Sequence, residues 1–319
     1  MRIGATMGDI FVSAGVVIGL AMGLLVPGAA AAATLTAVDI LGRFNLITSG
    51  GAATQSDIEG AAVIGGDLGS SGTFFNNAGR LPANPTVYLF GANTGSYNID
   101  NGGHVVFGSN PGHFNLNGGA TAVQGSFPGT YPNVLSDYLT PLQALSMQLA
   151  QTAANSGVAV GSNTITFNAV ANAQGTAVFN FTAAQLQAQL RSNIVFNRGA
   201  GVTAIVIDVT GDFSEPGGVN WNTPAQDVLF NFSDANTVAL GNWEGSVLAP
   251  HAAVRLLSGN FEGALFASSF AGGGELHNLA FTGALPAPEP AGWAVLGVAV
   301  VGLMAARGRR RRPTTLFRF

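Results

Sequence analysis

Two glutamates occupy matching places in a repeated unit. Gly241-Asn242-Trp243-Glu244-Gly245-Ser246-Val247-Leu248-Ala249 returns 18 residues later as Gly259-Asn260-Phe261-Glu262-Gly263-Ala264-Leu265-Phe266-Ala267. A looser copy lies far upstream as Asp57-Ile58-Glu59-Gly60-Ala61-Ala62-Val63-Ile64. If each copy is one coil of stacked chain, successive strands lie about 4.8 Å apart and Glu244 sits on Glu262. Like charges so placed repel unless they are screened, spread apart or bridged by a cation. Glu244 and Glu262 are therefore the weak metal candidates of the chain. No calcium-loop motif accompanies them, and two solvated glutamates diverging at a turn is the favoured reading.

Other chemistry is sparse. Asp208, Asp212 and Glu215 could form a glycosidase-like carboxylate pair, although an acidic turn is the commoner cause of such a run. The histidines His104, His113, His251 and His277 are mostly far apart and read as turn or packing residues. The chain has no Cys and no Lys, so thiol and Schiff-base chemistry are excluded. No serine sits in Gly-x-Ser-x-Gly. The expectation is a protein that is not an enzyme, with no catalytic residues and no cofactor.

The elements that must position these residues show a second repeat. Gly91, Gly108 and Gly125 stand 17 residues apart, and Tyr97-Asn98-Ile99 recurs as Phe114-Asn115-Leu116 at the same offset. A nearly constant period of this length, ending each time in a short apolar run, predicts a β-solenoid. The glycines are assigned to corners that need positive φ. Because the upstream Glu-Gly unit matches the late ones, the solenoid is expected to be discontinuous, with Asp57–Ile64 pairing beside the late coils. Ser70–Pro85, rich in Gly, Asn and Pro, reads as a loop.

Tyr131–Asn155 changes character. Leu135, Tyr138, Leu142, Leu145 and Leu149 follow helical spacing, and Thr140-Pro141-Leu142-Gln143 reads as a helix start or break. This one long helix is expected to pack along the solenoid's flank. Thr182-Ala183-Ala184-Gln185 is a capping box opening a short helix. The fold class is thus mainly β, with few helices.

The ends differ from the middle. Ile10–Val26 is almost wholly apolar and is followed by Pro27-Gly28 and alanines 29–33, so residues 1–33 read as a signal peptide. Residues 34–285 read as the mature domain. It holds five arginines against fourteen acidic residues, which argues against nucleic acid or anionic lipid as partner. Residues 286–319 contain Pro288-Glu289-Pro290, the apolar stretch Ala291–Ala306, and then Arg307, Arg309, Arg310, Arg311 and Arg312. With flanking residues the apolar stretch is long enough for a transmembrane helix. The arginines would hold its far end in the cytoplasm.

This three-part tail resembles a PEP-CTERM sorting signal, which implies processing by an exosortase-type membrane protease that reads Pro288, Glu289 and Pro290. Pro313–Phe319 extends beyond the arginines, where such signals usually stop sooner. The domain also resembles the choice-of-anchor A family, through Phe44-Asn45-Leu46-Ile47, Asp57-Ile58-Glu59-Gly60 with Ile64-Gly65-Gly66-Asp67, Gly245-Ser246-Val247-Leu248-Ala249-Pro250-His251-Ala252, and Gly274-Glu275-Leu276-His277-Asn278. That family is similar to ice-binding-like adhesive β-solenoids. The resemblance implies a fold and a surface address but no chemistry. The function expected is an exported cell-surface or extracellular-matrix protein, adhesive or structural, whose partner is exopolysaccharide or another surface glycan. The alternatives are a carbohydrate-active enzyme on the same scaffold and an ice-binding protein. Only Thr34-Leu35-Thr36 and Thr164-Ile165-Thr166 have the Thr-x-Thr form, which argues against direct ice binding.

Overall fold

Short strands wrap into coils, and each coil stacks in parallel on the next. The computed structural model describes residues 35–125 and 132–285. Along one face the stack runs Thr176–Thr182, Ala204–Thr210, Val228–Asn231, Ser246–Leu256, Leu265–Gly272, Phe44–Thr48, Ala61–Ile64, Thr86–Ala92, His104–Ser109 and Thr121–Gln124. The spatial order is not the chain order. The early strand Phe44–Thr48 lies between Leu265–Gly272 and Ala61–Ile64, with Leu46 opposite Leu265 and Ile47 opposite Phe266. The predicted discontinuity is therefore present, and it forms a seam between early and late coils.

A second face stacks Trp243–Glu244, Asn260–Glu262, Glu275–His277, Asp57–Ile58, the end of Leu68–Phe74, Ser96–Ile99 and His113–Leu116. A third stacks Phe213–Ser214, Thr237–Leu240, the distal parts of Ser246–Leu256 and Leu265–Gly272, Ala52–Thr54 and the start of Leu68–Phe74. Gly157–Val160, Thr164–Ala169, Asn193–Arg198 and Asn220–Trp221 form a separate four-stranded sheet, whose first pair is antiparallel. Inside the coils the second face contributes a continuous row of Trp243, Phe261, Leu276, Ile58, Phe74 and Ile99, all buried. Period-2 alternation sends their neighbours outward.

The first face is apolar on both sides, as suits parallel strands covered on both. Its outward residues Val106, Tyr88, Val63, Ile47, Phe266 and Leu248 form a second core under helices. Helix α1 (Ala37–Leu41) starts at a capping box made by Thr36 and Asp39. Helix α2 (Ser136–Leu149) has 14 residues and is about 21 Å long. That is about four strand spacings. The stack ends at Thr121–Gln124 and restarts at the opposite end with Thr176–Thr182, so the chain must travel the length of the stack between them. Tyr138 of α2 packs against Phe44, Tyr88 and Phe90, and Ser146 reaches Asn231 several strands away. The flanking helix predicted from spacing is therefore observed.

Three local expectations are corrected. Helix α2 begins at Ser136, not at Thr140, and keeps Pro141 inside it. An interior proline costs about 3 kcal/mol, but Tyr138, Leu142, Leu145 and Leu149 are all buried, at about 1.5–3 kcal/mol each, so burial wins. Ser70–Phe74 is strand rather than loop, because it pairs with Ser96–Ile99 and Asp57–Ile58. Gly91 and Gly108 line up along one edge as their spacing requires, but for closeness rather than for φ. A Cβ at Gly91 would lie 2.3 Å from the Gly66 carbonyl oxygen, and one at Gly108 would lie 2.8 Å from that of Phe90. Only Gly125 of the three has positive φ. Helix α3 (Ala183–Gln189) carries the expected capping box of Thr182 and Gln185.

The segment read as a signal peptide and the one read as a sorting tail, with Pro288, Glu289, Pro290, Arg307 and Arg309 to Arg312, lie outside the described residues. Among the described residues no helix is long and apolar enough to cross a membrane.

Candidate functional site at the glutamate corner

The Glu-Gly repeats stack in register. Glu244 lies opposite Glu262, and Glu262 opposite His277. Leu276 pairs with Ile58, which places Glu59 beyond His277. One row therefore reads Glu244, Glu262, His277, Glu59, one residue per coil, across the seam. The glycine after each glutamate lets the chain turn onto the first face; Gly245 does so at φ 107°.

Asn45 closes this corner. Its amide nitrogen donates to the carbonyls of Gly263 at 2.6 Å and His277 at 3.0 Å, and its amide oxygen accepts from Gly60 N at 3.2 Å. A Cβ at Gly60 would come within 2.4 Å of Asn45 Cβ, so glycine is required there by close approach. Gly60 is thus bound through Asn45 to the coil of Gly263, where the repeat predicted it.

The row is neutralised unevenly. His277 Nδ1 bonds Glu262 Oε1, and its Nε2 lies 3.0 Å from Glu275 Oε2. Burial alone would lower the His277 pKa, but the hydrogen bonds to Glu262 and Glu275 outweigh it and raise the pKa. With carboxylates on both ring nitrogens, imidazolium is the favoured form. Arg80 Nη1 lies 3.5 Å from Glu59 and 3.6 Å from Glu262. Glu59 is buried and accepts from Asn77 Nδ2 at 2.9 Å and from Asn278 N at 3.0 Å. Glu244 has no such partner among the described residues. Burial and the charge of Glu262 push its carboxyl up to about 6.

Beside Glu244 and Glu262 opens a cavity of about 470 Å³, also lined by Trp221, Asn222, Thr223 and Gln226. The Trp221 indole is fixed by Nε1 donating to Asn242 O at 2.9 Å and by edge contact with Trp243 at 5.1 Å.

Residues 37–278 match the family model of the ice-binding-like adhesive domain. The chain belongs to that family. The match in this ice-binding-like adhesive domain takes in Asn45, the whole glutamate row and Asn278. Among solved structures, an ice-binding protein from the Antarctic ascomycete Antarctomyces psychrotrophicus aligns at 14% identity and a TM-score of 0.31, over 76% of this chain and 97% of its own. No curated protein matches the sequence.

The expected stacking of Glu244 on Glu262 is observed, but the cations near it are protein side chains. Arg80 and His277 serve Glu262, and among the described residues no group of three or more side chains is arranged to hold a metal ion. From the sequence His277 reads as a turn or packing residue, whereas in the fold it bonds two carboxylates. Its signal was there in Glu275-Leu276-His277, which repeats the polar-apolar-polar order of Asn260-Phe261-Glu262. Arg80 carried no periodic signal, since it sits on a short 3-10 turn, Ala78–Arg80.

Asp208, Asp212 and Glu215 do not form a carboxylate pair in a cleft. Asp208 is buried beneath α2 and accepts from Asn231 Nδ2 at 2.6 Å; burial raises its pKa. Asp212 is exposed and caps the turn by accepting from Asn236 N and Thr237 N. Glu215 is buried and accepts from Gly241 N at 2.5 Å, and burial raises its pKa. His104 bonds Thr121 on the next coil, while His251 is exposed.

Proposed function

We propose that this protein is exported and works by adhesion, as a cell-surface or matrix component that holds a surface polysaccharide along its second face. The observation that carries this reading is the outward row of that face. Asn115, Asn98, Thr73 and Asp57 stand in register on successive coils, and Glu275 and Asn260 continue the row beyond the seam. Amides link neighbours along it: Asn115 Nδ2 donates to Asn98 Oδ1 at 2.9 Å, and Asn98 Nδ2 to Thr73 Oγ1 at 3.5 Å. A rigid comb of donors and acceptors, repeated at the strand spacing, suits an extended chain bearing many hydroxyls. Membership of an adhesive-domain family supports the same reading.

The row does not favour ice. Thr164 and Thr166 face Asn193 and Val195 on the neighbouring strand, so this Thr-x-Thr pair does not continue into a ladder there. The three-part tail supplies the route. Pro288-Glu289-Pro290 would be read by an exosortase-type protease, the apolar stretch would anchor the chain before processing, and the arginines would stay in the cytoplasm.

Purified protein is expected to be retained on exopolysaccharide without releasing oligosaccharide. Release of fragments would favour a carbohydrate-active enzyme, and thermal hysteresis without polysaccharide retention would favour ice binding. Either outcome overturns the adhesive reading.

A further inference from the structure

The cavity at the glutamate corner has a charge imbalance that the protein does not correct. Glu262 is served by His277 and Arg80, and Glu59 by Arg80, Asn77 and Asn278. Glu244 lines the cavity with no hydrogen bond or ion pair to the described residues, directly beside Glu262 in register. A half-buried carboxylate left this way is unfavourable in its charged form unless a positive group from outside meets it. The remaining lining has a distinct character. Trp221 presents a fixed indole, and Asn222, Thr223 and Gln226 bring amide and hydroxyl groups. Aromatic surface beside a few polar groups, in about 470 Å³, is the make-up of a small-ligand site. An indole also attracts a cation placed over its face.

We propose that this cavity binds an amino-sugar unit of the surface polysaccharide, with the sugar's ammonium group on Glu244 and its ring against Trp221. This rests on the reading of the domain as a polysaccharide adhesive and names the unit it selects. A lysine side chain would meet Glu244 equally well, but it brings no hydroxyl to the Gln226 amide or to Asn222 Oδ1, the polar groups left over once Asn222 Nδ2 donates to Asn193 Oδ1 and Thr223 Oγ1 accepts from Phe196 N. A sugar bears hydroxyls for them.

The test uses the full chain in non-ionic detergent and a fully deacetylated glucosamine trimer as probe. Its comparators are the N-acetylated trimer, a glucose trimer and a lysine-rich peptide. Calorimetry near pH 6.5 is expected to show the glucosamine trimer binding at least tenfold tighter than the others, with a change in tryptophan fluorescence. Affinity is expected to follow a bell-shaped pH profile, because Glu244 gains a proton on the acid side and the sugar amine loses one on the basic side. Glu244→Gln is expected to weaken binding at least tenfold and to remove the acid limb, with an undiminished melting temperature showing that the fold is intact. Equal binding of the glucosamine and glucose trimers, or an unchanged Glu244→Gln, overturns the proposal, as does preference for the peptide. If the trimer fails while the protein still holds polysaccharide, this site is refuted and adhesion stands. If neither binds, both readings fall.

Discussion

Asn45 and Glu244 show what a single side chain does in this stack. Asn45 is buried and ties together backbone from three separate chain segments. Asn45→Ala takes the side-chain partner from the Gly263 carbonyl and the Gly60 N–H at the seam, while the His277 carbonyl keeps Leu279 N. Each unsatisfied group costs about 1–3 kcal/mol, partly relieved by water, so a loss of about 2–4 kcal/mol is expected in denaturant titration. Glu244 acts in the opposite sense. Its folded-state pKa, about 6, lies above the ordinary glutamate value of 4.5. The folded state therefore holds the proton more tightly, and the resulting stability is full below about pH 4.5 and lost as pH rises through about 6. Glu244→Gln is expected to raise the melting temperature above pH 6 and to make no gain below pH 4.5, by calorimetry across that range.

At the scale of elements, α2 is held by an apolar stripe and one polar lock. Ser146 Oγ donates to Asn231 Oδ1 at 2.6 Å, and Asn231 Nδ2 donates to Ser146 O at 3.0 Å and to Asp208 Oδ1. All three residues are buried, so the network is high-stakes. Ser146→Ala leaves Asn231 short of a donor. It is expected to cost about 1–3 kcal/mol and to speed hydrogen exchange in α2 more than in the strands beneath. The stripe of Tyr138, Leu142, Leu145 and Leu149 was legible in the sequence, because helical spacing is a local property. The helix start was not. Thr140-Pro141 has the form of an N-terminus, yet the aromatic contacts of Tyr138 hold a turn before it. Likewise Ser70–Phe74 has loop composition, and only neighbouring strands make it a strand.

The whole molecule is closed by its seam. Asn45 and Gly263 are 218 positions apart in the chain but joined by a hydrogen bond. Bringing such distant segments together carries a loop-closure cost before any contact repays it. Without the early coils, Leu265–Gly272 would present an open strand edge, which is a template for aggregation. His277 adds a pH dependence to this joint. Its pKa is raised in the fold by Glu262 and Glu275 against the effect of burial. Its contribution is therefore full below its ordinary value of 6.5 and lost as pH rises through the higher folded value. Wild-type melting temperature is expected to fall over that basic window. His277→Gln is expected to be less stable below it and to lack the fall.

The repeat, the stacked coils and the register of Glu244 on Glu262 are legible in the chain before it folds, because a coil's length and its alternation of apolar and polar residues are written locally. The sequence also indicates that early and late Glu-Gly units are neighbours, since both copies keep the same pattern. What surrounds those glutamates is fixed by folding alone. Arg80 and Asn77 come from a non-repeating turn, and His277 occupies a glutamate position without being a glutamate. Charge balance at a corner depends on which segments meet there. That meeting is set by packing across the seam, to which no local pattern refers.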